Sequence, residues 1–259
     1  METQSRDGRK KRRALVVTGT KLKIYGCIAM LFYAVGMSVI RNGMLHVSQY
    51  TDSGLSELLK NNPDKMVLAG WASVFQLIGG LAVPVFAFLL VEGFIHTSDY
   101  RKYLLSLLIF ALISEIPYDL AMSQTVFNPS SQNPLFTLTV CLIMLYGFRM
   151  FAGKKGIMYY LIQMLIILAS LLWCSITHLN FGFCTVLLAA VYYLLYDRKG
   201  LRLLIGCFVS FIYVTGPLST YALWSYSGER GWNKNKYLFY FIYPVHLIVL
   251  AGISFLMIG

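Results

Sequence analysis

Long apolar runs with almost no charge decide what this chain can fold into. Eight of them, Leu22–Ile40, Val67–Ile95, Tyr103–Leu120, Leu135–Phe151, Ile157–Trp173, Phe181–Tyr196, Leu201–Leu223 and Tyr237–Ile258, follow one another through 259 residues. Most approach the ~20 residues that an α-helix needs to cross about 30 Å of hydrocarbon. The runs are continuous rather than alternating, which argues against barrel strands. In hydrocarbon only helices and closed barrels satisfy every backbone polar group. Composition agrees: 58% of residues are hydrophobic and 13% charged, where a soluble domain carries roughly a quarter charged residues. The expected fold is an all-α polytopic transmembrane helix bundle of about eight helices. It forms a single transmembrane domain over 22–259, behind a basic cytoplasmic tail at 1–21.

The net charge is +11. In a membrane chain this reads as the positive-inside bias rather than as a nucleic-acid surface. With eight spans, and the N-terminus and C-terminus both cytoplasmic, 16 of the 22 Lys and Arg fall in inner segments. The outer loops then keep Arg41, Lys60, Lys65, Arg230, Lys234 and Lys236. The cluster Arg9 to Arg13 precedes no small-residue cleavage site, so the first run is read as a retained helix. Leu45, Leu55, Leu58 and Leu59 suggest a short interfacial helix in the long 42–65 loop. The second run is long enough to be broken, and Gly79-Gly80 and Pro84 predict a kink within it.

Ionisable groups inside a bilayer cost about 2.5–3.5 kcal/mol each on insertion scales, which makes each one a candidate for function. Glu92 and His96 stand four apart and share a helix face. A carboxylate beside an imidazole can orient it as a general base. Glu115 and Asp119 share a face in the same way, with Pro117 between them to bend the helix. Two like charges this close raise the cost of ionising both. The structural alternative is a pair neutralised by Arg41. His246, in Tyr243-Pro244-Val245-His246, lies about a third of the way into the last run by helical rise. Asn133 is placed to cap the fourth helix. No nucleotide-binding, zinc-protease or serine-hydrolase motif occurs. The five cysteines read as small buried side chains, and no metal-ligand spacing appears.

The run Pro84 to Thr97, followed by Arg101-Lys102-Tyr103-Leu104-Leu105 and by Leu108 to Leu120 with its Ser114-Glu115-Ile116-Pro117-Tyr118-Asp119, resembles the core signature of the TraX family of conjugative pilin acetylases. Asn133 to Tyr146 and Tyr240 to Leu247 are similar to it as well. The resemblance implies an integral enzyme of the bacterial inner membrane. It would move an acetyl group from acetyl-CoA to an amine or hydroxyl of a membrane-associated acceptor, such as a pilin subunit or another cell-envelope acceptor. On that reading Glu92, His96, Glu115, Asp119 and His246 are catalytic candidates. Tyr118, Asn133 and Tyr243 are candidates for binding substrate, and Arg101 and Lys102 for holding donor phosphates.

Two positions depart from the family pattern. The family's first helix commonly carries an adjacent Asp-His pair, where this chain has Tyr33-Ala34. The family also tends to show an Asp before Tyr-Gly, where this chain has Asn180-Phe181-Gly182. The alternative is therefore a non-catalytic partner protein that keeps the scaffold, or a small transporter built on the same intramembrane acids.

Overall fold

Hydrocarbon drives each apolar run into helix, because an unpaired amide there has no water to bond. The computed structural model describes residues 17–153, 156–231 and 238–258. The chain opens with α1, Gly19–Ala34, which continues without interruption into a π-helical stretch, Val35–Met44. Next come α2, Asp52–Asn61, and α3, Pro63–Gly79. After α4, Ala82–Ile95, and α5, Tyr100–Ser123, come α6, Pro134–Met150, and α7, Ile157–Ile176. The last four are α8, Gly182–Leu194, α9, Lys199–Ser210, α10, Ser219–Trp224, and α11, Leu238–Ile258. No strand occurs among the described residues. Five stretches are long and apolar enough to cross a membrane: Gly19–Met44, Pro63–Ile95, Tyr100–Ser123, Ile157–Ile176 and Leu238–Ile258. Most of the basic tail expected at 1–21, and Tyr237 at the expected start of the last span, lie outside the described residues.

The main core lies around α4, α6 and α8, where Phe88, Phe94, Leu142, Leu145, Phe148, Leu188 and Tyr192 are fully buried. The α7 helix packs outside them and buries only Gln163, Ser170 and Cys174. Its other side chains form the apolar surface that lipid covers. The α2 helix buries nothing, as suits a helix lying along an interface.

The seventh apolar run departs from expectation. It does not cross as one helix. The α9 helix stops at Ser210, the chain turns through 211–215, and α10 brings it back. Ser225 to Arg230 then run beside Val17 to Thr20, with backbone bonds from Val17 to Ser225 (3.1 Å), Gly19 to Glu229 (2.8 Å) and Thr20 to Arg230 (3.0 Å). The Arg230 guanidinium reaches the His96 carbonyl at 3.1 Å. Arg230 therefore sits at the Gly19 end of the bundle and not at the outer end that eight spans would give it. At the far end of α11, Ser254 meets Gln124 at 3.3 Å, and Met257 lies against Gly43. The start of α1 and the end of α11 thus lie at opposite ends of the molecule. The described helix ends therefore do not bear out the expectation of both termini on one side. The α9 helix ends at Ser210, and beyond the turn Thr215 and Ser219 bond the Leu77 and Leu81 carbonyls at the α3–α4 junction.

The second run breaks where its glycines predicted. The α3 helix ends at Gly79, and α4 begins at Ala82 with Pro84 in its first turn. The glycines serve close approach. A Cβ on Gly79 would stand 2.4 Å from the Tyr33 Cβ, and one on Gly80 would stand 3.0 Å from Tyr213.

Single cysteines at Gly153 and Ser227 will be labelled by an impermeant maleimide from one side of sealed vesicles, and one at Ser130 from the other. Labelling of Ser227→Cys together with Ser130→Cys would restore the straight seventh span. Gly79→Ala is expected to lower stability by about 1–3 kcal/mol through overpacking, read as a shifted melting transition in detergent.

Candidate functional site

The structure separates the sequence-selected acids into two places. At the Gly19 end, Glu92 comes from the last turn of α4, and its side chain is 10% exposed. One carboxylate oxygen lies 3.9 Å from the Arg202 guanidinium, and the Tyr196 hydroxyl donates to the other at 3.4 Å. The guanidinium also lies over the Phe88 and Tyr196 rings, 5.1 and 5.0 Å from their centres. His96 caps the end of α4 and turns its Nδ1 to the Glu92 backbone carbonyl at 2.8 Å. Its distance to the Glu92 carboxylate is 3.7 Å. The expected carboxylate–imidazole pair is therefore beyond hydrogen-bond distance, and the Arg202 guanidinium stands at a similar distance as a permanent cation. Arg202 reads in sequence as a loop cation. Its placement three residues inside an apolar helix was the signal that it is buried.

Arg101 and Lys102 are exposed at the start of α5 beside this cluster. Lys102 pairs with Asp99 at 3.3 Å, and Asp99 also accepts the Lys102 amide at 3.0 Å as the helix cap. That amide bond, with the Lys102 charge, holds the Asp99 carboxyl below its usual range. With Arg198, Lys199 and Arg230 these residues give the Gly19 end several cations, and the buried Arg202 Nε has no partner. Such a surface can offer charge-assisted hydrogen bonds to anions.

The second place is an apolar cavity of about 70 Å³ inside the bundle. Tyr33 and Ala34 of α1, Tyr118 of α5, Phe181 at the head of α8, and Tyr243 and His246 of α11 line it. The His246 Nδ1 is 2.8 Å from the Ile242 carbonyl. A carbonyl only accepts, so Nδ1 carries the proton and Nε2 keeps a free lone pair. That Nε2 is buried and has no hydrogen-bond partner. Tyr118 receives a hydrogen bond from the Asn180 amide and lies 3.5 Å from the Ser131 hydroxyl.

Glu115 and Asp119 stand behind this wall and do not line the cavity. Asn133 donates to Glu115 from both its backbone and its side chain, bonds the Ala111 carbonyl at 2.8 Å, and caps α6 through Leu135 at 2.9 Å. The Asn128 amide donates to Asp119 at 2.8 Å. Arg41, the alternative partner for both acids, instead extends along Met37 with a 3.8 Å contact to its sulfur. The acids thus fix the start of α6 and the loop before it. The sequence missed Asn128 and Asn133 as their partners because these lie across a turn in space.

The long apolar helices and their exposed apolar surface are those of a multi-pass membrane protein. A model of the TraX protein family matches residues 21–254. The chain belongs to the TraX family. It is also similar to the probable fimbrial assembly protein FimC, serogroup H1, of Dichelobacter nodosus, at 27% identity over 201 residues, covering 68% of this chain and 81% of that protein. No solved structure matches. The two departures from the family pattern meet in the cavity: the Tyr33 and Phe181 rings stand edge to face at 5.3 Å.

Arg202→Leu is expected to cost about 3 kcal/mol because it strands a buried carboxylate. Adding Glu92→Leu should recover most of that loss. A double-mutant cycle of melting transitions in detergent checks the coupling, and strictly additive losses would show that the pair does not interact.

Proposed function

We propose that this chain is an acyltransferase of the bacterial inner membrane, moving an acetyl group from acetyl-CoA to an acceptor of pilus or fimbria assembly. Family membership and the fimbrial relative support the setting. The observation that carries the chemistry is His246, with Nδ1 held by a carbonyl and Nε2 free in a buried cavity. There, Nε2 takes the proton from the acceptor hydroxyl or amine as that atom attacks the thioester carbonyl. The carbon–sulfur bond breaks, and the departing thiolate takes the proton from Nε2, which returns His246 to its neutral form. Tyr33, Tyr118 and Tyr243 wall the cavity against lipid and supply hydroxyl groups for orienting the acceptor. The cationic Gly19 end, with Arg101 and Lys102, holds the donor phosphates. The positive-inside rule sets that end in the cytoplasm, with the end of α11 outside. Glu92 positions Arg202 there rather than acting as the base.

A second reading has its own observation. The positions where the family commonly carries Asp-His are Tyr33 and Ala34, and both line this cavity. On that reading the chain keeps the scaffold as a partner protein and has no transfer chemistry.

Purified protein in proteoliposomes with radiolabelled acetyl-CoA, offered a peptide copy of a pilin N-terminus and, separately, a saccharide as acceptor, decides between them. Transfer by the wild type that drops at least 100-fold in His246→Ala, the order expected of a lost general base, supports the enzyme. A wild type without transfer, whose Tyr33→Asp/Ala34→His double variant gains it, supports the partner-protein reading. Transfer that persists in a folded His246→Ala would overturn the role given to His246.

A further inference from the structure

A larger opening lies on the outer side of the cavity. The α6 and α8 helices are short, with 17 and 13 residues. They start deep in the molecule, since Asn133 bonds residues 111 and 115 in the middle of α5 rather than its end at Ser123. The turn between α7 and α8 is level with them, tied to the 132 segment by the Gln132–His178 and Asn180–Gln132 backbone bonds at 3.1 and 3.2 Å. Above these short ends is a recess of about 490 Å³, whose lining includes Ser131, Ser175, His178, Asn180, Phe181 and Tyr213. Irregular backbone at this depth is tolerated only where it is buried in protein or lines water, and the hydroxyl, amide and imidazole groups of this lining suit water.

Only one layer of side chains separates recess from cavity. Phe181 stands edge to face with Tyr213 on the recess side, at 5.3 Å, and with Tyr33 on the cavity side, also at 5.3 Å. Asn180 lines the recess and bonds the hydroxyl of Tyr118, which lines the cavity. Phe181 and His178 both hold left-handed backbone, with φ of 58° and 52°. Bulky residues rarely adopt it, and such outliers concentrate at ligand clamps and switches.

We propose that this recess is the acceptor subsite, that it takes an uncharged, hydroxyl-rich acceptor of saccharide type from the outer side, and that Phe181 with the Asn180–Tyr118 bond is the gate to the cavity. The chemistry selects this class. None of the lining residues is Asp, Glu, Lys or Arg, so a protonated amine would lose its hydration with no carboxylate to replace it. Glu115 and Asp119 lie outside this lining, each bonded to an asparagine through one oxygen. Hydroxyl, amide and imidazole groups offer donors and acceptors to sugar hydroxyls, while Phe181 and Tyr213 offer ring faces to the apolar side of a pyranose. The word acceptor rests on the acyl-transfer reading, whereas the subsite does not.

The test uses the full chain in nanodiscs, without acetyl-CoA, and maltotetraose as probe, read by saturation-transfer NMR. Binding is expected, and it should weaken about tenfold in Tyr213→Ala and in His178→Ala. The gate is read separately from the rate at which an impermeant thiol reagent modifies Thr185→Cys inside the cavity. Phe181→Ala should raise that rate at least tenfold, and Phe181→Leu, which keeps the bulk, should not. No binding of the saccharide, or preference for a peptide with a free amino terminus, would overturn the acceptor class. An unchanged Thr185→Cys rate in Phe181→Ala would overturn the gate. Saccharide binding in a chain that transfers no acetyl group would leave the subsite standing and remove the acyl-transfer reading.

Discussion

Every backbone break inside a bilayer must find a partner for its loose amides and carbonyls, and this molecule gathers its breaks at one level. The α3–α4 junction, the tip of the α9–α10 hairpin and the turn before α8 converge there. Side-chain hydroxyls close the gaps: Thr215 bonds the Leu77 carbonyl, Ser219 the Leu81 carbonyl at 2.8 Å, and Thr137 the Asn180 carbonyl at 2.7 Å. Each break is therefore fastened to a different helix. The cavity exists because the elements that stop at this level leave their ends facing one another. Glycine at 79 lets Tyr33 approach closely enough to complete its wall, and glycine at 80 lets Tyr213 approach the recess side.

Function divides along the same line. Below it are the charges: Glu92 and Arg202 paired among aromatic rings, with cations around them. Above it the recess lining is uncharged, and Glu115 and Asp119 stand behind it, bonded to asparagines. A donor carrying phosphates suits the first environment, and an acceptor without charge suits the second. His246 lies between, with its reactive nitrogen turned inward. On the proposed function, such a partition would keep donor and acceptor on opposite sides until their reacting groups met in a small apolar space, where water competes little with the acceptor.

Much of this was legible from residue order. Helical class, the break near Gly79-Gly80, the cap at Asn133 and the value of Glu92, Glu115, Asp119 and His246 as rare buried ionisable groups all follow from periodicity, glycine chemistry and the cost of charge in lipid. The re-entrant hairpin did not, because Leu201–Leu223 has the length and hydropathy of a full crossing, and only the packing of Thr215 and Ser219 onto the α3–α4 junction shows that it turns back. Nor did the partners of the acids. Arg202 comes from a helix more than a hundred residues from Glu92, and Asn128 folds back across a turn. Tyr33 and Phe181 were visible as departures from a family pattern, but their contact is a tertiary fact.

The uneven helix lengths also act on the surrounding lipid. One side of the molecule, with α5, α11 and the joined α1 and π-helical stretch, is tall, while the side formed by α8 and the α9–α10 hairpin is short. A single bilayer thickness cannot match both. Mismatch costs fractions of a kcal/mol for each ångström, and bilayers answer by thinning or by recruiting neighbours. The protein is in effect a wedge. Lipids with shorter acyl chains, or another protein of similar height, will collect along its low side, so that its lateral company in the membrane is set by the same short helices that open the recess.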